Sequence, residues 1–410
     1  MQQTQTISNG DTAVKLSTRF YIPAALLLLA ALAVWAAPAA AQGRLTAKPF
    51  IHTDWQYDSN YNRTETNEKS VHTYSVKPGI DLGFTTDKSL AAFNYWFQVF
   101  RYDDKDGNLP GQRDAGDDDY TAHNAQLTLE TQATHRLALR LDNWFIKTRD
   151  PANADANSND VDRFKYSLNR FSPGMTYRFG EKFGLGLKYT NLYTDYSDDG
   201  PGEGEDSMEN RGGLTGYYYF TPRTSFDLDY QFWEREYDKD SVDYTSNQLM
   251  LNVSHQFNRL TLKAGAGYHN REFDDPVPSG DIDRFVWQFS GTWNLPRTAV
   301  RMALGSNLND SGNGDTYFTS TRLDALLVHQ FTERIRGTLS GYYQNADYET
   351  SDREDDRWLV SLAGDYLITE SLWVGLAGGR EERDSTEAGR DFENQYLMIR
   401  AGFNYDLGTR

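Results

Sequence analysis

The chain contains no cysteine among its 410 residues. This excludes a disulfide scaffold, thiolate metal sites and covalently attached haem. Beyond residue 44 it also lacks any apolar run long enough to span a bilayer as a helix. It has no Pro/Ser linker and no shift in composition to mark a second domain, so residues 42–410 read as one unit. Gly-x-Ser-x-Gly, His-Glu-x-x-His and phosphate-loop motifs are all missing. The histidines (His52, His72, His123, His135, His255, His269, His329) are scattered along the chain. No enzyme activity, cofactor, metal or nucleic-acid partner is therefore expected. Asp and His meeting at a loop rim to form a hydrolase would be visible only in geometry.

Aromatic residues and acid, by contrast, are abundant. The 26 Tyr, 22 Phe and 9 Trp argue against disorder despite a net charge of -18. Near the N-terminus Lys15 and Arg19 precede the uncharged run "FYIPAALLLLAALAVWAAPAAAQG". A basic flank, an apolar core and Ala39-Ala40-Ala41 together read as a secretory signal over residues 1–41, cleaved before Gln42. A retained membrane anchor is the alternative, since Arg19 to Arg44 brackets enough residues to cross a bilayer.

After residue 50 two kinds of punctuation alternate. Short turns recur at "TTDKS" (85–89), "ATHR" (133–136), "FGEKFG" (179–184), "FTPRTS" (220–225), "QFNRL" (256–260), "NLPRT" (294–298), "QFTERI" (330–335) and "LITESL" (367–372). Between them lie long polar loops at 58–71, 103–119, 150–162, 195–209, 237–244, 273–283, 308–316, 348–357 and 383–391. This rhythm calls for about 18 strands of roughly a dozen residues, the length of a tilted bilayer crossing. The expected fold is an all-β, transmembrane, up-and-down antiparallel barrel in the bacterial outer membrane, with short periplasmic turns and long acidic extracellular loops.

Local patterning decides which face meets lipid. In "RLTLKAGAGYHNREF" one parity carries Leu260, Leu262, Ala264, Ala266 and Tyr268, and the other Lys263, Gly265, Gly267, His269 and Arg271. Likewise Phe226, Leu228, Tyr230 and Phe232 oppose Asp227, Asp229 and Gln231. A dry soluble core could not hold the charged parity without heavy desolvation cost, so the apolar parity faces oil and the charged parity a wet lumen. A soluble propeller or sandwich is the competing architecture.

Carried strand by strand, this parity predicts a lining. Lys263, Arg271, Arg284, Arg301, Arg322 and Arg336 fall on successive strands with Asp324 among them, while Arg400, Asp227 and Asp229 lie elsewhere on the wall. Rings of Arg and Lys in a pore select anions, and guanidinium groups pass carboxylates or phosphates by paired hydrogen bonds. The alternative is that these arginines pair with acids and brace the wall. The acid itself sits in the loops, as in Asp195, Asp198, Asp199, Glu203, Glu205, Asp206 and Glu209. Solvated loops explain these carboxylates, and a divalent-cation site at Asp117, Asp118 and Asp119 is the sharper reading.

The first hairpin, "YDSNYNRTETNEKSVHTYSVKPGIDLGF" (57–84), resembles the opening of the family called putative beta-barrel porin 2, through Tyr57-Asp58-Ser59-Asn60 and the Pro78-Gly79 pair. The association of such proteins with exopolysaccharide operons implies a role in passing anionic polysaccharide. One departure is the ending "YDLGTR", where such barrels finish on an aromatic residue; Phe403 or Tyr405 would serve instead. The function expected is thus a porin or exporter for small or polymeric anions, with outer-membrane lipid as its surroundings. A scaffold barrel that sheathes or anchors a partner, such as a cytochrome conduit or a surface fibre, is the alternative.

Overall fold

The computed structural model describes residues 43–104, 114–150, 164–197, 205–239, 241–274, 280–310, 317–349 and 351–408. The expected signal segment 1–41 and the loop acids Asp198, Asp199 and Glu203 lie outside these residues. Strands run the whole length: β1 (Arg44–Asp58), β2 (Val71–Thr85), β3 (Ser89–Asp104), β4 (Tyr120–Gln132), β5 (Leu137–Thr148) and β6 (Tyr166–Arg178). Then come β7 (Phe183–Tyr196), β8 (Ser207–Thr221), β9 (Thr224–Tyr237), β10 (Tyr244–Gln256), β11 (Leu260–Phe273) and β12 (Ile282–Asn294). The last six are β13 (Thr298–Asp310), β14 (Tyr317–Gln330), β15 (Ile335–Tyr348), β16 (Glu354–Leu367), β17 (Leu372–Ser385) and β18 (Phe392–Asn404).

All 18 strands pair antiparallel with their chain neighbours, and β1 pairs with β18, so the sheet closes. Closure leaves no open edge, which is the condition for a β-sheet to sit in lipid. The seam explains the YDSN motif. The Ser59 amide donates to the Gln395 carbonyl at 2.9 Å and the Asn60 amide to Asn394 Oδ1 at 3.0 Å, while Asn394 Nδ2 donates to Asp58 Oδ1 at 3.1 Å. These bonds stitch the end of β1 to the start of β18. At the other end Tyr405 and Leu407 donate to the carbonyls of Pro49 and Ala47, which prolongs the seam past β18. Gly79 has an equally local reason: a Cβ there would lie 2.3 Å from the Phe50 ring.

Parity is as expected. Leu251, Phe285 and Leu362 are 58, 65 and 65% exposed on the outer face, values that no core position would show. Phe179, Phe220 and Phe331 crowd the short-turn rim. Toward the other rim the outward Tyr189, Tyr230 and Tyr343 donate their hydroxyls to Asn210, Asn247 and Asp356. Aromatic rings thus mark the two lipid boundaries, and at the outer one the tyrosine hydroxyls find polar partners.

Following Cα partners round the barrel returns to β1 roughly 22 residues from the start, so the strands lean by about 40°. Residues at one height are therefore offset by about one position per strand.

Leu251→Arg places a cation at mid-depth on the lipid face and should destabilise the folded barrel by about 2–4 kcal/mol. Urea titration in bilayers measures this. Unchanged stability would mean that the face has been misassigned.

Candidate functional site: a charged lumen narrowed at its outer end

All ten residues expected to line the pore fall on the lumenal parity of their strands, but the lean of the barrel sorts them by height. Asp227, Asp229, Lys263, Arg301, Arg336 and Arg400, joined by Arg140, Asp142, Lys188 and Asp365, occupy a belt about 10 Å tall at mid-depth. Asp324, Arg322, Arg284 and Arg271 sit progressively nearer the extracellular rim.

Burial changes with that height. In the belt the side chains of Arg140 and Arg336 are 57 and 55% exposed, so the lumen is wet there. Toward the outer rim Arg271, Asp310 and Glu381 are only 2, 5 and 4% exposed. The outer wall is therefore covered around these residues, while Arg284 nearby stays 41% exposed.

Part of the cover comes from the β13–β14 hairpin. The β12–β13 ladder stops at Ser306, while β13 and β14 stay paired as far as Asp310 and Tyr317. Asp310 accepts from Arg235 of β9 at 2.7 Å, from the Tyr244 hydroxyl of β10 at 2.5 Å, and from Arg271 of β11. Strands β9 and β13 would stand about 19 Å apart in an unbent wall. The hairpin end therefore leans across the mouth, and Leu308 and Tyr317 pack with Trp233, Tyr244 and Ile282. The Tyr317 hydroxyl also donates to the Val242 carbonyl at 3.3 Å. The guanidinium of Arg271 lies 4.0 Å from the Tyr244 ring centre and is enclosed, so it is not presented to a passing solute.

A second brace crosses the opposite side. Glu381 of β17 accepts from Arg63 of the β1–β2 connection at 2.9 Å, from Arg357 of β16 at 2.8 Å and from the Tyr342 hydroxyl of β15 at 2.9 Å. Arg284 pairs with Glu349, and Arg322 pairs with Asp324 at 2.9 Å and donates to Gln344 at 3.0 Å. Of the loop carboxylates, Asp118 accepts from Arg149 at 2.9 Å and Asp119 from the Tyr102 amide at 2.9 Å. Asp117 and Asp118 belong to a short 3-10 turn, Ala115–Asp118, held by such contacts. Asp206 sits just before β8. Burial, then the neighbouring Asp195 and Asp238, hold its carboxyl above the usual range.

The belt behaves differently. Lys263, Arg301 and Lys188 form no ion pair among the described residues. Arg336 and Arg400 share one carboxylate, Asp365, at 2.9 and 2.8 Å. Gly375 makes that sharing possible, because a Cβ there would lie 2.4 Å from Asp365 Oδ1 and 2.9 Å from Arg400 Nε. The arc from β11 to β18 thus carries Lys263, Arg301, Arg336 and Arg400 against Asp365 alone at this height. Beside the arc, on β9, Asp227 accepts from Asn252, and Asp229 from Thr215 and Gln231, without a cation. The rest of the belt is mixed, with Arg140 and Lys188 among Asp142, Asp227 and Asp229. Asp310 and Glu381 were missed in the sequence, because a loop-end carboxylate gives no local sign that it will fold inward.

Residues 39–404 match the family described as putative beta-barrel porin 2. The chain belongs to that family. Membership and the closed 18-strand barrel together place it in the bacterial outer membrane. No curated protein matches it. Among solved structures it is similar to OccAB2 of Acinetobacter baumannii, with 10% identity, 89% of this chain and 98% of that one covered, and a TM-score of 0.46. It is also similar to OpdK of Pseudomonas aeruginosa with vanillate, with 13% identity, 88 and 99% covered, and a TM-score of 0.46. A third is OccK2 of the same organism in complex with glucuronate, with 12% identity, 89 and 98% covered, and a TM-score of 0.47.

Asp310→Asn in this porin-family barrel leaves Arg235 and Arg271 buried without a countercharge. It should destabilise the fold by about 3–5 kcal/mol, read as a lower urea midpoint. Single-channel conductance should rise as the hairpin end loses its anchor; unchanged stability and conductance would refute this account of the mouth.

Proposed function

We propose that this barrel is a passive outer-membrane channel for anionic solutes, small or polymeric, with acidic polysaccharide as the polymeric case. What carries the reading is the belt arc, where four cations line the lumen with one carboxylate among them. Solvated guanidinium and ammonium groups attract carboxylates and phosphates and exchange them quickly, which conduction requires. The outer-rim cations Arg271, Arg284 and Arg322 are each paired with a carboxylate, so the candidate residues narrow to Lys263, Arg301, Arg336 and Arg400. Asp227 and Asp229, two strands from Lys263, set acceptors beside the cations for a solute that carries both charge and hydroxyl groups. The acidic loops are consistent with this, because the belt charges act directly on whatever fills the lumen beside them, whereas solvated loop charge is screened within about 8 Å at physiological salt.

In planar bilayers under a KCl gradient, the reversal potential should show chloride preferred over potassium. Replacing Lys263, Arg301 and Arg336 together by Gln should move that potential toward zero or reverse it. Cation preference in the parent protein would sink the proposal.

A further inference from the structure

The short-turn rim holds a pattern that the lumen belt does not use. At each turn, one carbonyl immediately before the next strand accepts an amide from the strand beyond it. The acceptors are Lys88, Arg136, Lys182, Arg223, Arg259, Arg297, Arg334 and Ser371, and every bond is 2.8 Å. These positions are structurally equivalent, and all but the last carry Lys or Arg. Only 41 of 410 residues are Lys or Arg, so about one such position would be basic by composition. Arg44, at the start of β1, takes the corresponding place at the seam.

Each step of two strands moves this position by the same register shift, so the cations stand at nearly one height and form a ring. All of them are exposed. None of the turn cations is in an ion pair among the described residues, although Asp87, Glu181, Glu333 and Glu370 share the turns. The next residue along is on the lipid parity and is often apolar, as with Leu137, Phe183, Leu260, Ile335 and Leu372. The cations hold the opposite, lumenal parity, and so ring the opening rather than the bilayer surface.

We propose that this ring is a collar that loads a flexible polyanion, such as an acidic polysaccharide, into the lumen from the periplasm. The inference rests on the anion-channel reading and adds a direction to it. A ring of one sign around a low-dielectric opening focuses the field and raises the local concentration of oppositely charged chains. The belt cations continue the attraction roughly 10 Å further in. Acidic loops at the other mouth repel the same chain. A polyanion therefore meets attraction at one end only, and is captured faster from the periplasmic side.

The test uses the full barrel in planar bilayers, with polygalacturonate as probe and neutral dextran as control. Because the chain has no cysteine, Asp281→Cys in the β11–β12 connection lets an impermeant thiol reagent report which mouth faces which chamber. Current block should need roughly tenfold less polygalacturonate from the periplasmic side than from the other. Replacing Arg136, Arg223, Arg259 and Arg297 together by Gln should abolish that asymmetry, and replacing them by Lys should keep it. Equal block from both sides, or asymmetry that survives in the Gln variant or is lost in the Lys variant, would overturn the collar. The KCl reversal potential, governed by the belt, reports separately on the channel proposal.

Discussion

Every feature of this protein follows from the cost of an unpaired backbone amide in hydrocarbon. Such a group costs several kcal/mol, so a sheet enters lipid only when closed on itself. Here closure is made where β1 meets β18, and the chain spends specific residues on it. Asp58, Ser59 and Asn60 bind the outer end of the seam, and backbone bonds from Tyr405 and Leu407 extend its inner end. Once the cylinder is closed, parity fixes which residues meet oil, and register fixes height. A slip of one residue in any strand would exchange the two faces, and so the apolar and charged sets enforce each other.

Within the lumen, chemically similar residues do different work according to hydration. Arg271 and Arg301 are both lumenal arginines on nearby strands. Arg271 is enclosed with Asp310 and aromatic rings, where removing either partner strands a buried charge. Arg301 is exposed and unpaired among the described residues, so its field acts on whatever occupies the water beside it. The division between brace and selector comes from how far the hairpin end and the β1–β2 connection cover the wall, and not from residue type.

Much of this was legible in sequence because barrel patterning is local. Turn and loop spacing gave the strand count, and alternation in β9, β11 and β18 gave the faces. The candidate lining residues were chosen by the same alternation. What sequence did not reveal is the fate of each lumenal charge. Lys263 and Arg271 look alike in the string, eight positions apart on one strand, yet only the first remains in open lumen. Asp310 read as loop because nothing near it marks a hairpin that stays paired after its ladder to β12 has ended. The YDSN motif was recognisable as a resemblance, but its seam-closing role depends on Asn394, more than three hundred residues away.

The same logic explains why net charge is a poor guide to this channel. The charge of -18 is concentrated in loops, where carboxylates are hydrated, screened, or tied to neighbouring amides and arginines. Cations on the lumenal parity sit at two levels, the turn ring and the belt. Each level is built by barrel geometry out of a sequence feature that looks unremarkable alone: one basic residue before a strand, or one on an inward parity. Shear supplies the alignment, because it brings positions dozens of residues apart to one height around a common axis. The collar proposed above would thus be encoded as a repeated turn preference, with no motif longer than a few residues at any single place.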